Sequence, residues 1–480
     1  MRSSDVVVVG AGMAGLVAAA RMRERGHRVV VLERTDQAGG YFGGFENETG
    51  DRFDLAVSHL LGGGEGESLA RLLASLDLSA TVELEPVEIA DVLTIGERRI
   101  EMPTGLDRLE EQLGREFPAS VDDLARFFDF LRSFLGDGSA DPRDRGRFMV
   151  RHHRRGFEEF CRETISDPEL RTALAMRIQC DDSSLLIMAG FLTECYGKGM
   201  VYPRGGVRRL VESIVDRLRS AGCEFVYGAS MTDVVVDDGR ARGVVLADGA
   251  VRRADVVFFN GDAPTLNAIL ERHGLGAIDA GGRRRGHSSL SLFHTLVGAD
   301  LTRFGRAARH YLTRSTDVFE TYRVLETGAL PEHPVIKVHV MTNIDSSIAA
   351  PGRDLVRIEV DMYHDPDVHD AAFYAEYARR VEAMVSDSFL PELRTSSVYR
   401  RTVTPIDYTE RFGHTGGSAT GWAHDVDNYM VRRISQRTSL ENVFITGQWG
   451  EYGSGLPQLI ASADRSVSLA EQLLRKRERA

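Results

Sequence analysis

Lysine is almost missing from this chain of 480 residues: Lys198, Lys337 and Lys476 are the only three, and the other 56 of its 59 basic residues are arginine. That skew is explained more readily by GC-rich coding, and so by a GC-rich bacterial source, than by chemistry. Acidic residues outnumber basic ones by 71 to 59, a net charge of −12, so nucleic acid is not an expected partner. Cysteine is scarce. Cys161, Cys180, Cys195 and Cys223 contain no Cys-x-x-Cys pair, which excludes a disulfide framework and suits small buried thiols in a reducing cytosol. Long apolar runs are absent: residues 6–9 are too few for a signal segment, and nothing approaches the ~20 residues of a membrane span. A soluble cytoplasmic chain is expected, with peripheral membrane contact left open. His152 and His153 stand beside Arg154 and Arg155 with no carboxylate or thiolate at ligand spacing, so no metal site is expected. No Ser-His-Asp or nucleophilic-cysteine arrangement can be read either.

What the chain holds in excess is glycine, 48 residues against 14 prolines. Asp5–Val9 is a β-branched run, followed by the glycines Gly10, Gly12 and Gly15 around Met13 and Ala14, then a helical stretch over 16–25 and a second apolar strand over 28–32 ending at Glu33. This is a βαβ unit with a G-x-G-x-x-G turn. The first glycine permits the turn, the second lets backbone approach a pyrophosphate, and the third lets helix pack on strand, while the helix N-terminus offers N–H groups to phosphate. Glu33, about 20 residues beyond the turn, suits the ribose hydroxyls of an adenosine and repels a 2′-phosphate, so FAD or NAD is expected and NADP is not. Glu33 is followed by Arg34 and then by Gly39-Gly40. A second glycine-rich junction, 447–457, begins Gly447-Gln448-Trp449 and ends Gly455-Leu456-Pro457, with proline at a helix N1 position. A helix N-terminus there would stabilise the negative charge that reduction places on a flavin, which decides for FAD, held noncovalently.

These residues carry a resemblance. The segment 6–40, the run Phe53-Asp54-Leu55-Ala56-Val57-Ser58-His59, the turn Tyr202-Pro203-Arg204-Gly205-Gly206 with Val234 beyond it, Asp345, Pro351 and Gly352, Thr404-Pro405 and the stretch 447–457 are together similar to the phytoene desaturase, carotenoid isomerase and retinol saturase family. That family is a branch of the flavin amine oxidase superfamily. The resemblance implies an α/β fold: a Rossmann-type, GR2-like FAD-binding domain, a second mixed-sheet substrate domain and a helical cap insertion. It assigns 1–67, 201–265 and 404–480 to FAD binding, 68–200 to the cap and 266–403 to the substrate sheet. It implies that Val234 lies on the strand laid against adenine and that His59 borders the flavin. Tyr41, Ala56, Tyr452 and the pair Gln448-Trp449 depart from the family pattern. The lysine that amine oxidases bridge to the flavin through water has no counterpart on 288–297, although Lys337 lies on another strand, and Leu456 stands where the aromatic cage tyrosine is expected.

For the chemistry, His59, Glu451, Tyr452 and Trp422 are the candidates: an imidazole to relay a proton, a carboxylate to act as base, and aromatic groups at the pocket border. His424, Asp425 and Tyr429 cluster with Trp422. Glu194-Cys195-Tyr196 is read as the end of a cap helix, and Phe127, Phe128, Phe130, Leu131, Phe134 and Leu135 as a core-facing stripe. The expected function is FAD-dependent dehydrogenation of a largely apolar small molecule, installing a double bond, with a quinone or O2 reoxidising the flavin. Amine or amino acid oxidation, a redox-neutral reduced-flavin isomerisation and a non-catalytic flavoprotein remain the alternatives.

Overall fold

The computed structural model describes residues 5–136, 142–180, 182–278, 288–299, 307–427 and 435–479. Two large sheets organise it. The first is wholly parallel and runs in the order Val443–Ile445, Val256–Phe259, Asp5–Val9, Arg28–Leu32, Glu224–Val226, so three distant stretches of chain meet in one layer. Its central strands are near-continuous valine and phenylalanine because both faces are covered: Val6, Val7, Val8, Val256, Val257 and Phe258 are all buried. The helix Met13–Glu24 shows little amphipathicity for the same reason. It lies between this sheet and the C-terminal helix Leu456–Arg479, with every residue from Met13 to Ala20 buried. The basic run 475–479 continues that C-terminal helix. A three-stranded antiparallel sheet, Met231–Asp237, Arg240–Leu246 and Val251–Arg253, is attached beside the parallel layer.

The second sheet has seven strands in the order Ser397–Val403, Ser291–Ala299, Asp354–Met362, Ile336–Val340, Arg309–Thr313, Ile89–Ile95, Arg98–Pro103. All pairings are antiparallel except Arg309–Thr313 with Ile89–Ile95. Within the segment 68–200 expected to be a helical cap, Ile89–Ile95 and Arg98–Pro103 therefore form a hairpin on the edge of this sheet. The sequence reading missed this because the partner strand lies about two hundred residues away, and periodicity reports no partner. The helices Leu106–Glu116, Val121–Leu135, Phe157–Thr164, Pro168–Ala175 and Leu185–Leu192 pack into one apolar cluster above it. Phe127, Phe128 and Leu131 are buried in that cluster with Phe130 and Phe134 against it, so the phenylalanine stripe is core.

Candidate active site

The end of strand Asp5–Val9 meets the end of Val256–Phe259, and Asn260 fills the notch between them. Its Nδ2 donates to Gly10 O at 3.3 Å. A Cβ on Gly10 would lie 2.6 Å from Asn260 O, one on Gly12 2.9 Å from Asn260 Nδ2, and one on Gly447 2.4 Å from Asn260 Oδ1. Gly15 is closed by different atoms, since its Cβ would stand 2.1 Å from Gly10 O, which is the close helix-to-strand seat expected of a third glycine. Asn260 was not singled out in the sequence. Its only signal there is its place after an apolar strand that turns out to pair with the first one.

Glu33 is buried at the tip of its strand and is already engaged: Oε2 accepts from Ala11 N–H at 2.8 Å, and Oε1 from Thr35 N–H and Oγ–H, both at 2.9 Å. It pins the glycine turn as well as facing the cleft. Gly39 N–H donates to Ala11 O at 2.9 Å, folding the Gly39-Gly40 loop onto the same turn. The helix Met13–Glu24 begins with no side-chain cap.

A cavity of about 400 Å³ runs from these groups to the seven-stranded sheet. Gly10, Gly12, Met13, Ala14, Glu33, Arg34, Gly39 and Gly40 line one part of it, together with Ala229, Ser230 and Met231. Val234, the expected adenine neighbour, does not line it: its side chain is buried in the three-stranded sheet, and the segment before it faces the cleft instead. Further along come His59, Gln448, Gly455 and Leu456. Gly15, Gly447 and Pro457 stand behind this lining, and Pro457 packs toward Gly62.

Three of the four proposed reactive residues are placed elsewhere. Glu451 reaches toward Arg465 at 3.8 Å with 42% of its side chain exposed, and Tyr452 is 39% exposed; neither lines the cavity. In the loop 447–455 the backbone, and not these side chains, turns inward. Trp422 is buried beneath the lining, donating Nε1–H to Trp449 O at 3.0 Å and meeting its ring edge-on. Trp449 itself lines the cavity and donates to His414 Nδ1 at 3.1 Å. Burial holds the His414 imidazole down to about 4, the neutral state that this acceptor role requires. His424 bonds Ser454 Oγ at 3.1 Å, and Tyr429 lies outside the described residues. Glu194 pairs with Lys198 while Tyr196 donates to Asp91 at 2.6 Å, so that segment faces the core.

The second sheet supplies what the sequence reading overlooked. Along Asp354–Met362, apolar and charged residues alternate, and one face carries Arg357, Glu359 and Asp361. Register sets Lys337 opposite Glu359 on one side and His294 opposite it on the other. Lys337 Nζ donates to Glu359 Oε1 at 3.0 Å and Asp361 Oδ1 at 2.7 Å. Such alternation ordinarily marks a solvated face. Here that face is buried, Lys337, Glu359 and Asp361 line the cavity, and the apolar face packs on the helix Ala371–Ser388. Burial opposes charge on Glu359, but Lys337, Arg357 and His294 outweigh it and draw its carboxyl down to about 2. The same pairing raises Lys337 despite its burial. His59 is pushed well below its ordinary value, first by burial and then by the charges of Arg309, Arg177, Arg357 and Lys337, so it is a neutral imidazole. Below this layer Tyr202 O–H donates to Asp54 at 2.6 Å and Gly205 N–H to Asp345 at 2.6 Å, tying together three of the segments that carry the family resemblance.

The residues present fit a flavin dinucleotide. Four cavity-lining side chains carry a buried polar atom with no partner among the described residues: His59 Nδ1, Gln179 Oε1, Thr420 Oγ1 and Gln448 Nε2. Such atoms are costly unless a ligand meets them, and a flavin ring system carries both donors and acceptors.

The family model for flavin-containing amine oxidoreductases matches residues 13–293. A zeta-carotene-forming phytoene desaturase of Myxococcus xanthus is 28% identical over 501 residues, covering 95% of this chain and 92% of its own. A phytoene desaturase of Neurospora crassa is 25% identical, covering 98% and 85%. Cyclohexylamine oxidase from Brevibacterium oxydans shares the fold at a TM-score of 0.62 and 17% identity, over 98% of this chain and all of that one. With its parallel dinucleotide sheet, mixed second sheet and joined cleft, the chain belongs to the flavin-containing amine oxidoreductase family and is an FAD-dependent oxidoreductase.

Proposed function

We propose that this enzyme desaturates a largely apolar, polyene-forming molecule, removing a hydride from one carbon and a proton from its neighbour to leave a double bond. One observation carries the reading: a single cavity joins the glycine and Glu33 groups to an apolar end formed by Leu61, Phe191, Leu290, Leu292 and Leu456. The phytoene desaturases that align over nearly the whole chain support it. Bound FAD would supply the hydride acceptor, with a quinone or O2 as the terminal oxidant.

The chain's own groups do the rest. Glu33 and the uncapped helix at Met13 hold the adenosine and pyrophosphate. The helix starting at Leu456, after Gly455 at φ +103°, begins at the cavity wall, which Gly455, Leu456 and Leu459 line, so its positive end would favour negative charge there. Leu456, Phe191 and the leucines exclude water from the reacting carbons. His59, neutral and with Nδ1 unpartnered among the described residues, offers that nitrogen as a hydrogen-bonding group to the bound molecule. Docking of the enzyme on a membrane surface would deliver so apolar a substrate.

Anaerobic mixing with phytoene tests this reading: the flavin should bleach and the product should lack two hydrogens. Amine oxidation is the second reading, favoured by the place of Lys337 in the cavity lining. Turnover of simple amines with peroxide release, and an unchanged flavin with phytoene, would put it first.

A further inference from the structure

The charged face of the second sheet has more donors than the protein uses. Lys337 Nζ carries three protons, and the two carboxylates beside it take two of them. Glu359 Oε2 faces Arg357 at 3.3 Å and His294 Nδ1 at 3.4 Å, and Asp361 Oδ2 accepts from Tyr322 O–H at 2.7 Å. The third ammonium proton has no partner among the described residues, and Lys337 is a lining residue with 12% of its side chain exposed. A further polar atom of the same cavity, Gln179 Oε1, is buried and equally unmet.

A cavity meant for pure hydrocarbon gains nothing from this arrangement, because withdrawing four charges from water costs more than an apolar wall. The charges also cancel: Lys337 and Arg357 against Glu359 and Asp361. From these four groups a charged ligand would therefore meet no net counter-charge. A neutral oxygen fits, meeting the free proton at no electrostatic penalty.

We infer that the substrate is an apolar molecule bearing a hydroxyl or carbonyl oxygen, and that Lys337 Nζ donates to that oxygen. The inference rests on the desaturase reading and narrows it. Its residues fix which molecule binds and where along its length the double bond is placed.

The test is binding to the flavin-loaded enzyme, followed by perturbation of the flavin spectrum, with phytoene and the corresponding chain-end alcohol as probes. The alcohol should bind roughly tenfold to a hundredfold more tightly, the worth of a hydrogen bond to a charged donor. Lys337→Met should erase that preference. Because Lys337→Met strands two buried carboxylates, the double variant Lys337→Met, Asp361→Asn provides a second trial in which the remaining charges, Arg357 and Glu359, still pair with each other; it too should lose the preference. Equal affinity for the two probes in the native enzyme, or a preference that survives in the double variant, would overturn the inference while leaving desaturation intact. Binding of neither probe would overturn both.

Discussion

The two large sheets differ in what they bury. The parallel sheet is apolar on both faces, and its chemistry lies at the strand ends, where Gly10, Glu33 and Asn260 stand. The seven-stranded sheet is apolar on one face only. Its other face carries Lys337, His339, Arg357, Glu359 and Asp361 through the middle of the molecule, so its chemistry lies along the strands. A nucleotide is held by backbone at a rim, which demands close approach and small residues. A ligand held by side chains over a buried surface demands neutralised charge. The first design fails by steric intrusion and the second by loss of a partner.

Gly15→Val should have the largest effect. Its Cβ would sit 2.1 Å from Gly10 O, a backbone atom that cannot yield without dislodging the turn. We expect protein without flavin, destabilised by roughly 3 kcal/mol or more. Flavin content and thermal unfolding measure this, and full FAD occupancy with an unchanged Tm would show that the helix does not seat on that turn.

Glu359→Met comes next and addresses the other sheet. It removes one partner from a buried network and leaves Lys337 and Arg357 facing each other beside a single carboxylate. The expected cost is about 3 kcal/mol, read as a shift in denaturant midpoint. A neutral outcome would mean that water reaches this face and that the sheet is not the dry counterpart of the first.

The same contrast decides what could be read from the sequence. The strand, turn and helix around Gly10–Gly15 and the acid at Glu33 are local, and their spacing carries their meaning, so the parallel sheet and its nucleotide rim were readable. Asn260 was not, because its role exists only once Val256–Phe259 lies beside Asp5–Val9. The alternation through Arg357, Glu359 and Asp361 was visible but ambiguous, since a period of two shows that a face is polar and not what covers it. Glu451 and Tyr452 differ for a related reason: a glycine-rich loop announces close approach to a ligand but not which side chains turn inward, and here Gln448 and Trp449 line the cavity while Glu451 and Tyr452 face outward. The hairpin Ile89–Pro103 falls within the expected cap because nothing local names a partner as distant as Arg309–Thr313.

Acid should expose the second sheet before the first. Burial lowers His294 from 6.5 to about 3, so between those values the unfolded chain binds a proton that the folded one refuses, and stability falls as pH drops through that window. Glu359, drawn from 4.5 to about 2, stabilises the fold fully above 4.5 and loses that contribution as pH falls toward 2. Asp54, raised to about 6 by burial, has the opposite sign: its contribution is present below 3.8 and is lost as pH rises through 6. Urea unfolding across this range should show a net loss with acid, and His294→Gln should reduce the slope by about one proton, some 1.4 kcal/mol per pH unit. An unaltered slope would remove His294 from the account.

At the nucleotide rim, Glu33→Ala should cost less. It unpairs Ala11 N–H and Thr35 N–H in the apoprotein, about 1–3 kcal/mol, and weakens FAD in addition. The holoprotein should therefore lose more stability than the apoprotein. Equal losses would make Glu33 a brace of the turn with no ribose role.

The smallest effect belongs to a pair that resembles Lys337–Glu359 in charge alone. Arg115 and Glu111 form an ion pair one helical turn apart on Leu106–Glu116, with their side chains 65% and 66% exposed. Water already solvates both partners, and the two long side chains lose rotamer freedom in meeting, so Glu111→Ala should change stability by a few tenths of a kcal/mol, less still in high salt. Chemical denaturation at low and high ionic strength resolves this. If Glu111→Ala cost as much as Glu359→Met, charge removal itself would be the cause, and the difference between the sheets could no longer be assigned to burial. If it costs several-fold less, the worth of the Lys337 network comes from its being shut inside the molecule, where the unmet ammonium proton can be answered only by what enters the cavity.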